Sequence, residues 1–175
     1  GKRQLRREVA ETMVGIAQKQ TDEYRDVLTG KVREAWWRLF SVDRSLQIVD
    51  SNKRLLRDFV EIAKTKYAVG KGLQQDVLLA ELELSRLTNR ELQLAGNRRR
   101  IQAMLNGLLN RVPDHPITLP EEPPSETLPM LESVTSLTQF AVERRDLIQA
   151  IELKLEAADK TVELAEKDRW PDFQV

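Results

Sequence analysis

The sequence predicts an all-α fold, a long antiparallel coiled-coil hairpin followed by a third long helix. Three observations carry this expectation. Prolines are confined to one stretch and to the C-terminal end, apolar residues recur with a period of 3.5, and the first two apolar seams mirror each other about a glycine. The composition agrees. Charged residues make up 32% of the 175-residue chain and aromatics 5%, with seven glycines, a balance typical of long helices rather than of a compact α/β globule.

From Lys2 to Lys66 no proline occurs, and only Gly15 and Gly30 interrupt. A helix over roughly 2–68 is therefore expected. Steps of four and three through Leu28, Val32, Ala35, Leu39, Val42, Leu46, Val49, Lys53, Leu56, Val60, Ala63 and Tyr67 meet eleven apolar residues in twelve. The overall hydrophobic fraction of 41% would supply about five. Gly70 and Gly72 mark a turn, and a second helix is expected over roughly 73–110. Its seam, Leu73, Val77, Ala80, Leu84, Leu87, Glu91, Leu94, Arg98, Ile101, Leu105 and Leu108, is apolar at nine positions of eleven. Reflection about residue 70 carries Tyr67 onto Leu73, Leu56 onto Leu84, Leu46 onto Leu94 and Leu39 onto Ile101. An antiparallel hairpin needs this arrangement, with its apex where a residue without Cβ takes positive φ. The polar interruptions Lys53 and Glu91 fall one layer apart and are expected to pair, which penalises slipped registers. Asp43 is placed to partner one of the arginines at 98–100.

Residues 1–111 thus form the hairpin, with its apex at 69–72. Six of the seven prolines lie in 112–132, which reads as an extended, semi-rigid linker spacing the third helix from the second. The third helix is expected over 133–169, with Leu137, Ala141, Arg144, Ile148, Ile151, Leu155, Ala158, Val162 and Ala165 as its seam. Residues 170–175 lie beyond it. A second stripe, with Trp36, Phe40, Leu55, Phe59 and Ile62 on the first helix and Leu78, Leu82 and Leu92 on the second, is wider than a two-stranded seam requires. Further helices are expected to cover it. A first helix of about 65 residues would span roughly 95 Å, against a radius of gyration of about 16 Å for a compact chain of this length. A rod is expected.

Lys+Arg and Asp+Glu number 28 each, so no global field draws the chain to nucleic acid or an anionic membrane. Cysteine is absent and His115 is the sole histidine. Thiol catalysis, disulfides and Cys/His zinc sites are excluded, and a Ser-His-Asp triad nearly so. His115, among Pro113, Asp114 and Pro116, reads as an exposed loop residue rather than a metal ligand. The basic runs at 2–7 and 98–100 are interleaved with acids and lack an aromatic platform, so they read as solvated helix faces. Glu81/Glu83 and Glu121/Glu122 accompany no nucleophile. No apolar run approaches the ~18 residues of a membrane-spanning helix. No signal peptide is evident, and Gly1 with its basic run reads as the start of a piece of a longer chain. Neither enzymatic activity, nor a cofactor, nor a metal site is expected.

The apex reads Tyr67-Ala68-Val69-Gly70-Lys71-Gly72-Leu73-Gln74-Gln75-Asp76-Val77-Leu78-Leu79-Ala80-Glu81-Leu82. It resembles the YxxGxxxxxDVLxAExxL signature of the TolC-like outer membrane efflux family, the outer membrane factors of tripartite pumps. Residues 1–11 are similar to the segment with which that family leaves its second barrel strand. Residues 103–109 resemble its end of the ascending helix, and residues 144–150 its RPDLxAA block, continued by Ala157, Ala158, Leu164 and Ala165. Residues 170–175 look like its turn into the third barrel strand, where Trp170 is expected at the membrane interface of the intact protein. Arg145 stands where the family usually has proline, and Gln75 where it often has a capping Ser or Thr. The blocks look somewhat closer to the family's metal-exporting, heavy-metal branch.

The resemblance implies a periplasmic α-barrel segment of an efflux channel, here only the helical part of the first repeat. In that family a homotrimer supplies twelve helices beneath a shared β-barrel in the outer membrane, and the β-barrel, missing here, makes the membrane contact. Transport through the duct is passive and driven by an inner-membrane transporter. The hairpin tips dock with a periplasmic adaptor, the membrane fusion protein. The adaptor-contacting residues so implied are Val69, Gly70, Lys71, Gly72, Leu73, Asp76 and Val77. Without the resemblance these residues merely close the hairpin, and the chain reads as a free-standing coiled-coil scaffold or adaptor hairpin that binds protein partners.

Overall fold

The computed structural model describes residues 1–123 and 133–169, and every regular element among them is a helix. In chain order these are α1 (Lys2–Ala68), α2 (Gln74–Leu108), α3 (Val134–Arg144) and α4 (Asp146–Asp168). The chain divides into two units, Gly30–Pro124 and Gly1–Thr29 with Ser125–Val175, and α1 contributes to both. Pro124, Pro129 and Trp170, with the expected barrel junction at 170–175, lie outside the described residues.

In the unit of Gly30–Pro124, α1 and α2 run antiparallel, as three cross-helix ion pairs establish. Asp43 meets Arg98 at 2.5 Å, Lys53 meets Glu91, and Lys64 meets Glu81 at 2.7 Å. The buried cluster is Ala35, Leu39, Val42 and Val49 on α1 with Leu94, Ile101 and Leu105 on α2, all on the expected seams. Leu39 and Leu105 are fully buried, and each contributes about 2 kcal/mol by leaving water. Lys53 is buried in this seam beside leucines and valines, and the half-exposed Glu91 supplies its counter-charge.

α2 stops at Leu108 because Asn110 turns left-handed at φ 54. The Arg111 amide then donates to the Asn106 carbonyl at 2.8 Å and the Asn110 amide to the Gly107 carbonyl at 3.2 Å, which satisfies two carbonyls at the helix end. The following prolines forbid a helix, but the chain does not lead away as a free spacer. Ile117 and Leu119 pack against the buried cluster. The Asn106 amide nitrogen donates to the carbonyls of Pro113 and His115 at 2.9 Å each, and Gln102 donates to the His115 carbonyl at 3.0 Å. Residues 117–121 so line a groove with Phe40, Asp43, Arg44, Gln47 and Arg98. This corrects the expectation for the linker, whose described first half is a strap on the hairpin. It also covers Phe40, which is buried, while Leu55, Phe59, Ile62, Leu78, Leu82 and Leu92 of the second stripe stay exposed.

In the unit of Gly1–Thr29 with Ser125–Val175, α1 pairs with α4, again antiparallel. Lys2 meets Asp168 at 3.5 Å near one end, and Lys19 meets Asp146 at 2.8 Å near the other. Leu5, Thr12 and Ile16 of α1 and Ala150 and Ala157 of α4 are buried, and Leu153 Cδ1 lies 3.4 Å from where a Cβ on Gly15 would sit. The expected seam of the third helix is thus corrected by one face. Ile151, Leu155 and Val162 are 49%, 64% and 59% exposed, and Ala150 and Ala157 on the neighbouring face are buried instead.

The single third helix is corrected as well. Arg145 is extended (φ −73, ψ 119) and separates α3 from α4. The cause is a carboxylate from α1: Glu23 accepts from the Leu147 amide and from the Arg145 guanidinium, both at 3.3 Å. It satisfies an amide that the first turn of α4 leaves without a partner and complements the helix dipole.

Two outcomes follow from these pairs. Glu91→Ala should cost about 2 kcal/mol in urea unfolding, below the 3–5 kcal/mol of a wholly enclosed pair because water reaches Glu91. Lys53→Leu combined with Glu91→Leu should recover that loss; a double variant no better than the single would show that the charge pair is not the cause. The hydrogen bond to Asp146 raises the Lys19 pKa above its ordinary 10.5. The docked state therefore holds that proton more tightly than the unfolded chain. The stabilisation is complete below pH 10.5 and is lost as pH rises through the docked value. The stability difference between the native chain and Lys19→Met should shrink above that pH, and a constant difference would contradict the assignment.

Candidate functional site: the hairpin apex

The apex is built by two complementary helix-end devices. α1 closes with Gly70 at φ 70, where the Lys71 amide donates to the Lys66 carbonyl at 2.8 Å and the Gly70 amide to the Tyr67 carbonyl at 3.0 Å. This is the left-handed helix stop for which glycine is favoured. Gly72 serves differently. A Cβ there would lie 3.0 Å from Lys66 Cβ and 3.2 Å from the Tyr67 nitrogen, so the chain folds tightly against its own preceding turn. Leu73 is extended (φ −95, ψ 145) as the N-cap of α2. Three residues on, the Asp76 carboxylate accepts from the Leu73 amide at 3.4 Å, while the Asp76 amide donates to the Leu73 carbonyl at 3.1 Å. That is the acidic half of a capping box; the cap position itself is Leu73, and Gln75 is the second residue of α2.

The seven apex residues singled out by sequence therefore have different tasks. Val69 and Leu73 are 63% and 66% exposed, and Lys71 is exposed between them. Gly70 and Gly72 shape the turn, and the tight approach at Gly72 is to the chain itself. Asp76 caps α2. Val77 is buried in the seam. Tyr67, 48% exposed, joins Val69 and Leu73 on the outer surface. Its signal was its place at the last layer of the apolar seam, opposite Leu73, which is itself exposed.

A groove beside the seam, lined by Glu34, Trp37, Arg38, Ser41, Asn97 and Arg100, holds an Arg38–Glu34 pair at 2.6 Å and an Arg100–Asn97 hydrogen bond at 2.9 Å. In the strap, His115 is exposed, and its carbonyl is its structural contribution. Among the described residues of the whole chain, no group of three His, Cys, Asp or Glu is placed to hold a metal ion. No helix among them is long and apolar enough to cross a membrane. The basic runs are tied into ion pairs, Arg7 with Glu11 at 2.8 Å and Arg98 with Asp43 at 2.5 Å. What the apex offers is non-covalent: exposed apolar side chains on a backbone held rigid by its turn.

Gly70→Ala should cost about 1 kcal/mol in urea unfolding, the penalty of left-handed φ for an ordinary residue with open space around its Cβ. Gly72→Ala should cost more, because its Cβ meets the backbone of Tyr67 as well as Lys66. The reverse order would refute the division of labour between the two glycines.

Set against protein-family models, curated proteins and solved structures, the chain matches none.

Proposed function

We propose that this chain is the periplasmic helical part of a TolC-like outer membrane efflux channel, which conducts substrates driven by an inner-membrane transporter and docks a periplasmic adaptor at its hairpin apex. The observation that carries the proposal is a coincidence at the apex. The residues resembling the family's YxxG…DVLxAExxL text are those that make the turn, with Gly70 at positive φ and Asp76 as the cap of α2. The exposed heptad-spaced stripes add support. Leu55, Phe59 and Ile62, Leu78, Leu82 and Leu92, and Ile151, Leu155 and Val162 are lengthwise apolar faces of the kind that neighbouring helices of a homotrimeric wall would cover. The role is one of transport without catalysis, cofactor or bound metal, and the segment lies in the periplasm beneath an outer-membrane β-barrel.

The test uses the full-length protein in its host. Val69→Asp with Leu73→Asp should leave outer-membrane trimers intact and lower resistance to the pump's substrates, heavy-metal salts or dyes, by about tenfold or more, as expected for loss of a central apolar contact. Undiminished resistance, or a parent protein found outside the outer membrane, would overturn the proposal.

A further inference from the structure

The helix stop of α1 ordinarily brings two apolar side chains together, one in the last turn and one just past the left-handed residue. In this chain those positions are Lys66 and Lys71. Both are exposed, and among the described residues neither forms an ion pair. The other charges of the apex are committed: Lys64 to Glu81 at 2.7 Å, and Asp76 to the Leu73 amide at 3.4 Å. Close packing of Gly72 against Lys66 Cβ fixes the base of that side chain on the turn. The backbone hydrogen bond between Lys66 and Lys71 sets these two cations side by side, close in sequence to Tyr67, Val69 and Leu73, which are 48%, 63% and 66% exposed. The last carbonyls of α1 offset part of the repulsion between the lysines.

We propose that the apex recognises a protein partner whose contacting end sets carboxylates around a small apolar knob. Val69, Leu73 and Tyr67 receive the knob, and Lys66 and Lys71 pair with the carboxylates. This inference rests on the efflux-duct proposal for the partner, the periplasmic adaptor, and adds the charge of its docking end: Asp or Glu beside an apolar side chain. The charges steer approach and fix orientation, while the apolar contact holds the complex.

The experiment measures binding of the purified full chain to the adaptor of the pump it serves, at about 50 and 500 mM salt, between which the screening length falls severalfold. Lys66→Gln with Lys71→Gln should weaken low-salt binding by about threefold to tenfold, the worth of two exposed pairs, and should flatten its salt dependence. Lys66→Glu with Lys71→Glu should weaken it further. Leu73→Asp should abolish it, and circular dichroism should show every variant as helical as the native chain. Lysine variants within about twofold of the native chain at both salts, with Leu73→Asp still inactive, would overturn the charge assignment and leave apex docking standing. Unchanged binding by Leu73→Asp would overturn both.

Discussion

A helix of 67 residues has no interior of its own. Whatever apolar surface α1 buries must be buried along its length, against a stripe of matching period on another helix. In the unit of Gly30–Pro124 that match is made by layers repeating every 3.5 residues, and the remaining features follow from its register. With Leu39 and Leu105 sealed from water, a slip of one heptad would keep most apolar layers filled but would part Lys53 from Glu91 and Asp43 from Arg98. The ion pairs therefore add little net stability and much discrimination between registers. Once the register is set, the chain must reverse at residue 70, which explains why the residue with positive φ falls there.

The pairing of α1 with α4 solves the same problem by other means. Its buried residues mix small, polar and aliphatic side chains: Ala150 and Ala157 on α4, and Leu5, Thr12 and Ile16 on α1. Small side chains bury less area each, but they keep packing dense. Charged groups then close the ends, Lys2 on Asp168 and Lys19 on Asp146, and Glu23 caps α4 from across the pair. The larger aliphatic side chains of α4 are left outside.

These two pairings show what a sequence discloses and what it withholds. The seam of α1 with α2 was legible because Leu, Ile and Val repeat along it, and its mirror symmetry located Gly70 without any tertiary information. The seam of α4 was misjudged for a definite reason. Periodicity alone weighs Ile148, Ile151 and Leu155 above Ala150 and Ala157, whereas the alanines are the residues buried. The break at Arg145 was invisible locally, since its cause is Glu23, far earlier in the chain. The strap was half legible. Its prolines excluded a helix, but Asn106, a fully buried amide inside α2, was the sign that a backbone segment had to come back and accept its hydrogen bonds. At the apex the turn was legible and the tasks were not. Val77 continues the seam by period and was nonetheless grouped with the exposed tip.

That separation of tasks bears on how such an apex can change. The turn is held by backbone features and one cap: a left-handed glycine, a glycine with no room for Cβ, and the Asp76 carboxylate. None of these uses the side chains of Lys66, Tyr67, Val69, Lys71 or Leu73 for more than their stems. Those five can vary in charge and bulk with little effect on stability, because surface positions away from packing and caps shift folding by only about half a kcal/mol. Recognition, by contrast, depends on them, since a partner meets side chains before it meets backbone. A hairpin of this kind can therefore keep one turn and acquire different partners. The lysine pair at the helix stop is a choice the fold did not require: an apolar pair there would serve the turn as well.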